Sequence, residues 1–69
     1  MYVYTIQQTE KETAAQFDKA INQYIEDTRL KGDQINNVTF LTAGDRLTAV
    51  FMILTEKEIN RARFLQQQQ

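Results

Sequence analysis

The groups that could do chemistry in this 69-residue sequence are carboxylates, lysines, arginines, tyrosines and hydroxyls, because it has neither histidine nor cysteine. Acid–base or nucleophilic catalysis would therefore fall to paired acids. Acids do cluster, at Glu10 with Glu12, Glu26 with Asp27, and Glu56 with Glu58. Helix chemistry accounts for each cluster. Glu12 and Glu58 stand three residues after a threonine, where a carboxylate completes a capping box. Glu10 and Glu56 complement a positive helix end, and Asp27 lies four residues ahead of Lys31, within pairing reach. No catalytic residue is assigned, and an enzyme is not expected.

Metal and phosphate chemistry find equally little support. Lone Asp33 and Asp45 do not supply the several convergent oxygens a hard cation needs. The missing thiols and imidazoles remove the usual zinc ligands, and disulfides with them. Gly32 and Gly44 are isolated, so no glycine-rich loop cradles a phosphate; a helix terminator and a hairpin turn explain them better. No metal and no cofactor are expected.

Lys57, Arg61 and Arg63 form the one local concentration of positive charge, and Lys57 and Arg61 share a helix face. They are the candidate anion-binding residues, for a nucleotide or nucleic-acid phosphate. Glu56 and Glu58 offset that charge, and Phe64 is the only aromatic placed to stack on a base. The whole chain carries 8 basic against 9 acidic residues, a net charge of -1 that draws it to no polyanion. A solvated helix face is the favoured reading, although copies of Arg61 or Arg63 in an oligomer can converge on one anion. Tyr2, Tyr4 and Tyr24 could line a pocket, but their periodicity favours packing.

The elements that must position these residues follow from periodicity. Tyr2, Tyr4 and Ile6 alternate with Val3, Thr5 and Gln7, which predicts a strand. Thr9-Glu10-Lys11-Glu12 reads as a capping box opening a helix from Glu10 to Lys31, with Ala14, Phe17, Ile21, Tyr24 and Ile25 as its apolar stripe and Gly32 as its terminator. Ile35 to Thr42 reads as a second strand, Ala43 to Arg46 as a turn, and Leu47 to Leu54 as a third strand. That third strand is apolar on both faces, which places it in the sheet centre. Thr55-Glu56-Lys57-Glu58 repeats the capping box and opens a short helix with a thin stripe of Ile59, Ala62 and Leu65; residues 66–69 are expected to fray.

The expected fold is α+β, a single domain over 1–69 in the order β-α-β-β-α. Its three-stranded antiparallel sheet has order 1-3-2, with one long helix on one face. That leaves a second sheet face carrying either Val50, Met52 and Leu54 or Phe51 and Ile53, according to which side the helix covers, and Val50, Met52, Leu54 and Val3 are the candidate interface. A domain this small usually buries about 60% of the surface its unfolded chain exposes. Self-association is therefore the expected partner relation, as a homodimer or higher oligomer.

The N-terminal Tyr-Val-Tyr-Thr-Ile strand, the Ala20-Ile21-Asn22-Gln23-Tyr24-Ile25 helix core and the Thr48-Ala49-Val50-Phe51-Met52-Ile53 strand resemble a small family of Bacillus sporulation proteins made in the mother cell. The likeness covers about the first 54 residues and implies no activity. The strand order is similar to that of dodecins, oligomers that bind flavin; this chain has no Trp to stack on one. No basic leader and no apolar run of the roughly 20 residues a membrane helix needs is present, so a cytoplasmic protein of bacterial or phage type is expected. The functional expectation is a non-enzymatic accessory protein acting by protein association through a homo-oligomeric scaffold. The alternative is a nucleotide or nucleic-acid binding module using the basic C-terminal helix.

Overall fold

The computed structural model describes residues 1–67. The elements are β1 (Tyr2–Gln7), α1 (Ala14–Leu30), β2 (Gln34–Ala43), β3 (Arg46–Leu54) and α2 (Glu56–Gln67). The fold is α+β, and the three strands form one antiparallel sheet in the order β1-β3-β2. Of the segment expected to fray, Gln66 and Gln67 are helical and 68–69 lie outside the described residues.

The first helix starts four residues later than its threonine signal suggested. Thr9 to Glu12 forms a turn instead, in which the Glu12 amide donates to the Thr9 carbonyl and the Thr9 amide donates to the Glu12 carboxylate. The cap is Thr13, whose hydroxyl accepts from the Gln16 amide at 3.2 Å while Gln16 Oε1 accepts from the Thr13 amide at 2.9 Å. Two capping-box patterns stand in tandem, and tertiary structure chooses the second. Gln8 holds the intervening turn against the sheet, its amide group bonding both the Glu12 carbonyl and the Leu47 amide. At the far end Gly32 takes a φ of +88°, and Asp27 accepts from Gln23 rather than pairing with Lys31.

Packing settles which sheet face α1 covers. Phe17 and Ile21 are buried on Ala49, Phe51 and Ile53, with Tyr2, Ile6, Tyr24, Ile25, Ile35, Val38 and Leu47 partly buried around them. Burial of each large side chain in this layer stabilises the fold by about 1.5–3 kcal/mol. Tyr24 extends the core by stacking on Tyr4, with ring centroids 4.2 Å apart, and by meeting Phe51 edge-on at 5.0 Å. The tyrosines are thus packing residues. A two-residue hairpin, Gly44-Asp45, joins β2 to β3, and Gly44 supplies the positive φ of +66° that such a tight turn needs.

The second helix does not return to the sheet, and none of its residues is buried. Only Thr55 separates it from β3, and α2 continues outward from the end of that strand. The radius of gyration is 15.0 Å, against about 11 Å for a compact chain of this length. No helix among the described residues is long and apolar enough to cross a membrane.

Candidate functional site

Strand register defines the face that α1 leaves open. Val3 and Asn37 lie opposite Met52, Thr5 and Thr39 opposite Val50, and Gln7 and Leu41 opposite Thr48. Alternation of side chains puts these nine residues, with Leu54, on one surface. All four expected interface residues, Val50, Met52, Leu54 and Val3, fall on it. Val3 and Leu41 are more than half exposed, while Val50, Met52 and Leu54 are half-buried by their neighbours in the sheet.

The face carries no ionisable side chain. Charges stand only at its two ends, and both are paired: the Met1 ammonium with Glu58 beside Leu54, and Arg46 with Glu10 at 3.7 Å beside the hairpin. The ammonium bond holds the Glu58 carboxyl below the usual carboxylate range. An apolar and amide-bearing surface free of charge can meet another such surface without like-charge repulsion or the desolvation of an ion.

The root of α2 sits at one end of this face, and the residue that organises it, Asp33, is one the sequence offered only as a lone loop acid unable to hold a metal. Asp33 accepts from the Glu56 amide at 2.9 Å, capping the helix, and its other carboxylate oxygen accepts from the Tyr2 hydroxyl at 3.2 Å. Its own amide donates to the Thr28 carbonyl. The only sequence signal was an acid directly after a helix-ending glycine. Thr55 provides the expected second cap, its hydroxyl accepting from the Glu58 amide at 3.2 Å. The Glu58 carboxylate accepts from that hydroxyl and from the Met1 ammonium. The positive φ is what requires Gly32 here; a Cβ at that position would lie 2.8 Å from the Glu56 carboxylate, the movable end of an exposed side chain. Burial first, then the Tyr24 hydroxyl and the Asp33 carboxylate, push the Tyr2 phenol up to about 12.

The structure does not bring the three candidate anion-binding residues together within one chain. At about 100° per residue, Lys57 and Arg61 are about 40° apart around α2, whereas Arg63 lies about 120–160° from both. All three are exposed. The acid clusters stay separate as well, and among the described residues no group of three His, Cys, Asp or Glu side chains could hold a metal ion. Comparison with protein-family models, with curated proteins and with solved structures found no match.

Proposed function

We propose that this chain is a non-catalytic association module whose copies assemble through the uncovered sheet face, forming a homo-oligomeric scaffold in the cytoplasm. The observation that carries this reading is the uncharged ladder of Val50, Met52 and Leu54 on the central strand, flanked by Val3 and Leu41, with α2 directed away from it. The accessible area supports it. The chain exposes 5469 Å², whereas a compact monomer of 8.1 kDa exposes about 4,500 Å². The excess, about 1,000 Å², is surface that the elongated chain and its undocked α2 leave for a partner to cover.

Light scattering over a wide concentration range tests the proposal. The wild-type chain is expected to have a mass of two or more times 8.1 kDa. Met52→Lys, which places an ammonium at the centre of the face, is expected to lower that mass with its circular dichroism unchanged. A wild-type mass of 8.1 kDa at every concentration would overturn the reading.

A further inference from the structure

A different surface says how two copies begin to join. β2 is an edge strand of ten residues, Gln34–Ala43, and it contains no charge and no proline. Natural edge strands of such length are normally blunted by a lysine, a proline or a covering segment. Here the devices amount to one irregularity, between Ile35 and Asn37 near the start of the strand. From Asn37 to Leu41 the pairing with β3 is regular, and Phe40 and Leu41, on opposite faces, are each 55% exposed.

The backbone of this stretch has a definite polarity. The Gln8 amide donates to the Leu47 carbonyl at 2.8 Å, so Leu47 turns its backbone groups toward β1. Antiparallel strands alternate these directions residue by residue. Ala49 and Phe51 therefore also turn toward β1, and Thr48, Val50 and Met52 toward β2. Their opposites Leu41, Thr39 and Asn37 take those bonds, which leaves the N–H and C=O groups of Val38 and Phe40 directed outward from the edge. Beside them runs an apolar groove of about 360 Å³ between α1 and β2, lined by Ile21, Ile25, Val38 and Phe40 with Asp18 and Asn22 at its rim.

We infer that β2 pairs antiparallel with β2 of a second copy, about a two-fold axis at Thr39, to make one continuous six-stranded sheet. That register sets Val38 of each copy against Phe40 of the other, so both pairs exchange their outward amides and carbonyls. It also makes two aromatic–β-branched pairs on the helix side and a threonine–threonine pair on the open side, combinations that stabilise sheets. The occupant is a second copy because the segment satisfies itself. Two-fold symmetry would double any charge near the axis; the strand has none, and the groove beside it contributes Asp18 at its rim. Pairing also puts apolar side chains of the other copy over the open end of the groove and doubles the uncharged face. The inference rests on the self-association proposed above but uses the sheet edge instead of the sheet face.

Cysteine reporters test it in a chain that has no cysteine of its own. At the axis, Thr39 of the two copies would have Cα atoms about 4.5 Å apart, within disulfide range, whereas sheets stacked face to face hold their backbones about 10 Å apart, beyond it. Thr39→Cys is exposed and is expected to form a covalent dimer on mild oxidation, at least about tenfold more than Leu41→Cys, whose two copies the same register keeps out of bridging range. Phe40→Pro in the Thr39→Cys background removes an outward N–H and the ring that pairs with Val38 of the other copy, leaves the β3 ladder in place, and is expected to abolish the bridge. Met52→Lys in that background is expected to retain it. Thr39→Cys bridging no better than Leu41→Cys, in a chain that still associates, would overturn edge pairing and leave the face standing. Bridging lost with Met52→Lys would overturn it too. Bridging retained, with a mass that Met52→Lys does not lower, would instead remove the face and keep the edge.

Discussion

Replacing Asp33 by alanine should loosen α2 from the sheet before it unfolds the domain. The substitution removes two acceptors, one for the Glu56 amide at 2.9 Å and one for the Tyr2 hydroxyl at 3.2 Å. Loss of a side-chain cap costs about 0.5–2 kcal/mol and loss of an ordinary hydrogen bond about 0.5–1.5 kcal/mol. The sum, about 1–3.5 kcal/mol, is a large share of the roughly 3–10 kcal/mol expected for a chain of this length. It corresponds to a fall in melting temperature of about 5–20 °C. The effect should concentrate in α2. That helix has 12 residues and no buried side chain, and helices of this length are marginal in water without tertiary support. Thermal melts at matched concentration give the global change, and native-state hydrogen exchange gives its location, as faster exchange at 59–67 than in β3. Asp33→Asn keeps an acceptor oxygen and should recover most of the loss. Asp33→Ala melting within about 2 °C of wild type, with exchange in α2 unchanged, would refute the junction described here.

Two further predictions concern the core and its pH response. Phe51 is fully buried beneath α1, so Phe51→Ala should cost about 3–5 kcal/mol and leave the chain largely unfolded at room temperature by circular dichroism, while Phe51→Leu should remain folded. Tyr2 has a folded pKa of about 12 against 10.0 unfolded, so its neutral form is favoured in the fold. Its contribution is complete below pH 10 and is lost as pH rises from 10 toward 12. Tyr2→Phe should therefore show a smaller drop in melting temperature across that window than wild type, and equal drops would contradict the environment assigned to the phenol.

The strand order was legible because one segment, Leu47 to Leu54, is apolar at every position but Thr48 and Ala49 is its smallest member. Only a central strand buries both alternating sets, and a helix between β1 and β2 with a tight turn before β3 then fixes the directions. That one apolar set must stay uncovered was legible for the same reason: α1 can take only one of the two alternating sets. Which set α1 takes was not legible, since both are apolar. Packing decided it, through Phe17 and Ile21 settling on Ala49, Phe51 and Ile53. Local chemistry also offered two equivalent starts to α1, and the choice of Thr13 over Thr9 depended on a turn held by Gln8 against Leu47, 39 residues away.

The sequence by itself determined the elements, the sheet order and the existence of a second apolar sheet face, because these follow from periodicity and from the few side chains that end or cap a helix. The tertiary structure alone decided the direction of α2, the junction at Asp33 and the outward-facing backbone of Val38 and Phe40. Each depends on groups brought together from distant parts of the chain: Tyr2, Asp33 and Glu56 in one case, and the register of three strands in the other. A hydrogen bond between such groups leaves no periodic trace in the residues that make it.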